Sequence, residues 1–218
     1  MKKQHVVMLG ALVLLVGFAV AAYVYKGHRA EKTAAMAQTD DSPLNRAYAQ
    51  TLGPDDAKVV IVEFFDPGCE TCRVFSKPVK ALVAAHPGKV RLVKRYAPFH
   101  HGADKVVQIL EAARLQGKYW ETLQVMFDSQ PQWASHHDPQ PELIWQFLPQ
   151  VGLDIERLRG DINDPKIVAI VQQDIDDAKT LGVRKTPTFF VNGKTLPRFG
   201  FDQLEALVAA EVAAQYGR

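Results

Sequence analysis

Residues Val59 to Phe75 read VVIVEFFDPGCETCRVF, and their reading decides the fold. Val59 to Phe65 is a run of β-branched and aromatic residues, the composition of an interior strand covered on both faces. One carboxylate, Glu63, interrupts it. Asp66-Pro67-Gly68 breaks the strand, and Cys69 opens a helical pattern with Val74, Val79, Leu82 and Val83 at the apolar positions. Pro78 is expected to kink that helix, because it has no N–H for the ladder. After the Pro87-Gly88 turn a second strand follows, Val90 to Tyr96, so the order is strand, helix, strand: a βαβ unit with a right-handed crossover.

Beyond this unit the apolar period is helical. Val106, Ile109, Leu110 and Ala113 form one stripe, Trp120, Leu123 and Phe127 a second, and Leu143, Phe147 and Leu148 a third. Asp154 and Asp164-Pro165 are helix starts, and Ile167, Ile170, Val171, Ala178 and Leu181 line the helix that Gly182 stops. Such stripes are core packing. The β signal returns at Thr188-Phe189-Phe190-Val191, followed by Asn192-Gly193 and Lys194-Thr195-Leu196, a hairpin whose type I′ turn needs positive φ at both central residues. A final amphipathic helix carries Leu204, Leu207, Val208 and Val212, starting near Asp202 with Glu205 placed for a capping-box contact. The order is βαβ, helical insert, ββα.

Upstream, Met1-Lys2-Lys3 precedes an uncharged apolar run from Val6 to Tyr25, about as long as a bilayer core is thick at ~1.5 Å per residue. Two readings stand. The run is an uncleaved anchor, or it is a signal peptide cleaved at a small-x-small site such as Ala19-Val20-Ala21. Lys26, Arg29 and Lys32 follow it, so both flanks are basic and charge alone does not orient it. The polar, Ala-rich stretch after it reads as a tether, with a short helix over Leu44 to Gln50 before the Gly53-Pro54-Asp55-Asp56 turn. The division is residues 1–5, a basic N-terminus; 6–25, the anchor or signal; 26–51, the tether; and 52–218, an α/β domain with a helical insert at about 101–182. With 47% hydrophobic residues, 23% charged and a net charge of +2, the chain has a globular composition and no basic stripe of the kind nucleic acid requires.

The segments EFFDPGCETC and KTPTFFVNG, with the helical block between them, resemble the thioredoxin superfamily and specifically its DsbA-like branch, thiol–disulfide oxidoreductases with a helical domain inserted into the thioredoxin fold. A lone C-x-x-C is a weak signal; a strand before it, a helix starting at it and Thr-Pro-Thr opening a distant hairpin make it specific. The residues themselves agree. A thiol at a helix N-terminus faces free N–H groups and the positive end of the dipole, which favour thiolate, so Cys69 is the attacking thiol. Cys72, one turn deeper on the same face, resolves the mixed disulfide formed there. Glu70, beside Cys69, is expected to oppose the helix dipole and hold the Cys69 pKa above the ~3.5 of the most acidic oxidant. The alternatives are inert core thiols or a metal site.

The resemblance implies more. It puts a carboxyl six residues before the first cysteine beneath the pair, where it helps move the proton of the resolving thiol, a role for Glu63; a bland alternative is that Glu63 reaches solvent at a strand end. It makes Thr186-Pro187 a cis peptide bond packed against the cysteines, with the Thr186 backbone open to pair with an extended substrate. It implies unfolded or thiol-bearing extracytoplasmic proteins as substrates, gripped in a groove bounded by Pro67, Thr186 and Phe99. It also implies a membrane redox partner that resets the pair, no cofactor besides the Cys69–Cys72 disulfide, and a monomeric domain. Disulfide formation is the expected direction, with a periplasmic reductase or substrate-specific redox partner as the alternative. Oxidative chemistry belongs outside the cytosol, so the domain is expected in the periplasm, anchored to the inner membrane or released by signal cleavage. A reading of another class remains, a copper or zinc carrier using Cys69, Cys72 and a histidine from His100-His101 or His136-His137.

Overall fold

Five strands form one sheet in the order β1-β3-β2-β4-β5: β1 Gln50–Leu52, β2 Val59–Phe65, β3 Val90–Tyr96, β4 Thr188–Val191 and β5 Lys194–Thr195. The computed structural model describes residues 2–37, 39, 41–135 and 139–217. β2 and β3 run parallel, whereas β1 on β3, β4 on β2 and β5 on β4 are antiparallel. The central strand is apolar because both its faces are covered. Val59 and Ile61 pack with Val79, Leu82 and Val83 of α2 (Glu70–Ala84) and with Leu204 and Val208 of α7 (Phe201–Tyr216). Val62 and Phe64 face the other way, toward Ala178 and Leu181 of α6 (Pro165–Leu181).

The insert is α3 (Ala103–Arg114), α4 (Tyr119–Trp133), two 3-10 turns over Pro141–Gln146 and Leu148–Val151, α5 (Ile155–Asp161) and α6. Its core reaches back to Phe65, Cys69, Cys72 and Tyr96, so it packs over the end of the sheet that carries the cysteines. Asp154 and Asp164 cap their helices, accepting from the N–H of Arg157 and Lys166. Two local expectations give way. The Leu143–Leu148 stripe is 3-10 rather than α, with a proline opening each turn. The last helix starts at Phe201, with Asp202 inside its first turn and no side-chain cap.

The N-terminal helix α1 spans Lys2–Ala37. Val7–Tyr25 within it has a mean hydropathy of 2.6 and is long and apolar enough to cross a membrane. The expected tether is drawn differently: its Ala-rich first part, good helix-forming sequence, continues α1. The part after it is bound to the domain and is not helical. Leu44 is fully buried, Arg46 pairs with Asp177 at 2.8 Å, and Tyr48 donates to Asp174 at 2.6 Å. Arg95 from β3 completes this cluster, donating to Pro43 O and to both aspartates. The domain therefore begins before Leu44 rather than at residue 52, because its partners lie on α6, far away in sequence.

Candidate active site

Asp66, at the end of β2, shapes the turn that presents the first cysteine. Its fully buried carboxylate accepts from Gly68 N at 2.7 Å on one oxygen. The other oxygen takes Phe99 N at 2.8 Å, His100 N at 3.0 Å and His100 Nδ1 at 2.7 Å. One side chain thus ties the loop before Cys69 to the loop after β3. From the insert, Gln130 Nε2 donates to Pro67 O at 2.7 Å and Cys69 O at 3.1 Å, while its own oxygen accepts from Arg73 Nε at 2.9 Å. Pro139 packs against Gly68 so closely that a Cβ there would lie 2.8 Å from the proline ring. These contacts fix the loop. Pro67 is consequently buried, and of the expected groove residues Phe99 is the one that projects, half exposed, with Thr186 partly exposed.

Cys69 is the N-cap of α2, with extended backbone and no side-chain capping bond. The residue is 6% exposed, and its Sγ donates to Thr186 O at 3.3 Å, beside the Thr186-Pro187 peptide bond, which is cis. Both cysteines are free thiols. The Cys69 pKa is lowered to about 6, first by a hydrogen bond from the Cys72 thiol, then, against the opposing effect of burial, by the Thr186 side chain and the N–H groups of Cys72 and Thr71. Burial pushes the Cys72 thiol well above its ordinary range, and its bond to Cys69, the Cys69 charge and the Glu63 carboxylate act the same way. The two thiols are therefore split: one ionised near neutrality, the other holding its proton. Glu70 is exposed and is not among the leading influences on Cys69, so the balance drawn from it and the helix dipole is replaced by one centred on Cys72.

Glu63 is buried, not at a solvent-facing strand end. It is 1% exposed and stands in register opposite Lys94 of β3, whose Nζ lies 2.9 Å from its Oε2. The carboxylate has no hydrogen bond of good geometry besides this ion pair, and the Lys94 ammonium also sits 3.7 Å over the Phe65 ring. Burying one charge beside another is costly unless they pair, so this arrangement fixes Glu63 and Lys94 together, near enough for the Glu63 charge to act on Cys72.

Sequence reasoning named Cys69, Cys72, Glu63, Thr186 and Pro187, and the structure gathers all five. It missed Lys94, Asp66 and Gln130. A charge in mid-strand β3 is a usable signal for Lys94; Asp66 reads in sequence only as a strand breaker. Gln130 carried no local signal, since it lies 61 residues from the loop it holds. His100 turns to Asp66, and His136 and His137 lie outside the described residues. Among the described residues no group of three or more His, Cys, Asp or Glu side chains is placed to hold a metal ion, so the carrier reading lacks a third ligand there.

Residues 46–210 match the model of a family described as thioredoxin. A Na(+)/H(+) antiporter NhaA of Herminiimonas arsenicoxydans is 31% identical over 166 residues, which are 76% of this chain and 26% of that protein. The chain thus spans about a quarter of the length of the curated relatives it matches. Among solved structures, a thioredoxin-like oxidoreductase from Silicibacter pomeroyi is 34% identical with a TM-score of 0.67, covering 78% of this chain and 95% of that one. Alpha-DsbA1 of Wolbachia pipientis shares the fold at 19% identity, with a TM-score of 0.64 over 78% of this chain and 94% of its own.

Proposed function

The chain belongs to the thioredoxin family, and from that premise we propose that it is a thiol–disulfide oxidoreductase acting on cysteines of extracytoplasmic proteins, with disulfide formation as its net direction. The observation that carries the exchange chemistry, in either direction, is the split between the thiols: Cys69 lowered to about 6, Cys72 raised well above the ordinary range. In the oxidising direction a substrate thiolate attacks Cys69 Sγ of the Cys69–Cys72 disulfide and Cys72 leaves. A second substrate thiolate then attacks the substrate sulfur of the mixed disulfide, releasing Cys69 as thiolate. Two electrons pass from the substrate dithiol to the pair; of the two substrate thiol protons, one is matched by the proton Cys72 takes up and the other is lost to solvent, because Cys69 is released as thiolate. Cys69 leaves readily because its thiolate is stabilised, whereas Cys72 takes up a proton as it leaves, with the Glu63–Lys94 pair beside it to carry that proton. A substrate chain lying along the partly exposed Thr186 backbone would pair with it through main-chain hydrogen bonds, which grip without reading sequence.

A membrane redox partner would restore the disulfide. The span Val7–Tyr25 supports an inner-membrane anchor with the domain in the periplasm; cleavage of that segment would leave a soluble periplasmic protein. A reporter at the C-terminus that stays cytosolic would refute the orientation, and a mature N-terminus near Ala22 would replace the anchor. The chemistry itself is tested by Cys69→Ser, expected to abolish exchange, and Cys72→Ser, expected to accumulate mixed disulfides; iodoacetamide modifying Cys72 first would reverse the assignment.

A Cys69 pKa of about 6 lies nearer the ~7 of thioredoxin than the ~3.5 of the strongest oxidant, and this favours a second reading, a periplasmic reductase. Equilibration with glutathione separates the two. A potential between ~-120 and ~-200 mV supports disulfide formation, and one near ~-270 mV moves the assignment to reductase.

A further inference from the structure

On the side of α2 facing α4 lies a cavity of about 240 Å³ lined by Arg73, Lys77, Gln124, Phe127 and Asp128. Arg73, Lys77 and Lys80 recur at i, i+4 and i+7, which puts three cations along one face of the helix that begins at the active-site cysteines. Among the described residues none of the three has a carboxylate within ion-pair distance, in contrast to Lys94, Arg95, Arg114 and Lys118 nearby in sequence or space. The one acid in the lining, Asp128, accepts from Gln124 Nε2 at 2.9 Å. Lys80 Nζ reaches Gln124 Oε1 at 3.4 Å and lies 5.4 Å over the Trp120 ring. Lys80 thus borders the cavity through Gln124; burial and then the Lys94 charge hold its pKa below the ordinary lysine range, against the opposing pull of the Asp128 and Glu63 carboxylates.

The groove is joined to the backbone of the reacting cysteine. Arg73 donates to Gln130, which donates to the Cys69 carbonyl, and Arg73 follows Cys69 by one helical turn. At about 1.5 Å per residue, Arg73 and Lys77 lie roughly 6 and 12 Å along the helix axis from Cys69, which an extended chain covers in about two to four residues.

We propose that this groove is an anion subsite of the exchange site, taking a carboxylate side chain two to four residues from the reacting cysteine of a protein substrate. The proposal deepens the thiol-exchange reading and rests on it. It adds a preference that main-chain pairing at Thr186 does not supply: acidic sequence beside the cysteine is drawn in, basic sequence is repelled.

The experiment uses the full chain in detergent micelles, oxidised, with three synthetic single-cysteine peptides differing only three residues from the cysteine, where they carry Glu, Gln or Lys. The measured quantity is the rate at which each reduces the Cys69–Cys72 disulfide as a function of peptide concentration. The Glu peptide is expected to half-saturate at a five- to tenfold lower concentration than the Gln peptide, at a similar maximal rate, with the Lys peptide weaker than both. The Glu advantage should collapse in Lys77→Gln/Lys80→Gln and in 0.5 M NaCl, and persist in Lys166→Gln, which removes the same kind of charge from the start of α6. Equal behaviour of Glu and Gln peptides with exchange intact, or a Glu advantage that survives in the double variant, overturns the subsite alone. Failure of all three peptides to reduce the disulfide overturns the exchange reading and the subsite with it.

Discussion

Replacing Cys72 with alanine removes the largest single influence that lowers the Cys69 pKa, the hydrogen bond from the Cys72 thiol. In the native reduced chain, with a midpoint of about 6, about 90% of Cys69 is thiolate at pH 7, against about 3% of an ordinary thiol near ~8.5. The ~30-fold gain in thiolate does not become a 30-fold gain in rate. A Brønsted slope of ~0.4–0.5 makes the less basic thiolate roughly tenfold less nucleophilic, leaving Cys69 only about two- to threefold faster than a free cysteine at pH 7. At pH 5 the comparison separates: Cys69 has lost about tenfold in thiolate and the ordinary thiol about a hundredfold, so Cys69 is then about 20-fold faster. The pH profile of iodoacetamide alkylation, read by mass on the full chain in detergent, is therefore the diagnostic rather than the rate at one pH. In Cys72→Ala the midpoint should move up by about one pH unit or more, because the Thr186 and backbone hydrogen bonds remain while burial still opposes ionisation. An unmoved midpoint would refute the reasoning and hand the thiolate back to the helix N-terminus.

Glu63→Gln leaves Lys94 buried without its partner and should cost about 3–5 kcal/mol in urea unfolding, whereas Glu63→Gln/Lys94→Met should recover most of that and still exchange slowly; a double variant with native rates would remove the pair from the mechanism. Asp66→Ala strands the N–H groups of Gly68, Phe99 and His100, for an expected loss of about 3 kcal/mol or more and a weaker preference for alkylation at Cys69; native stability would contradict the anchoring role. Arg95→Met uncovers Asp174 and Asp177 and should destabilise the domain by about 3–5 kcal/mol. For Asp177 the sign is explicit: burial would raise its pKa, but Arg46 and Arg95 outweigh it and hold the carboxyl low. Its contribution is present above the ordinary carboxylate value and is lost as pH falls through the depressed one. Acid unfolding of Arg95→Met should accordingly begin at a higher pH than in the native chain, and an unchanged acid midpoint would count against that coupling.

The elements that were legible in sequence are those built from neighbours along the chain. The β2 run, the C-x-x-C at a helix start, the Asp154 and Asp164 caps and the Asn192-Gly193 hairpin each depend on residues a few positions apart, which periodicity and turn chemistry record. The third insert stripe misled because apolar spacing does not separate α from 3-10 packing when prolines open each turn. Tertiary structure alone decided the charges. Whether Glu63 reached solvent or a partner depended on the strand register that puts Lys94 opposite it. Whether residues 41–51 were tether or domain depended on Arg46 and Tyr48 finding acids on α6, more than a hundred residues away. In sequence the Cys69 pKa reads as a balance of Glu70, its chain neighbour, against the helix N-terminus, but it follows Cys72 first. Electrostatic effects depend on distance and burial in space, and a linear sequence specifies neither until the chain has folded.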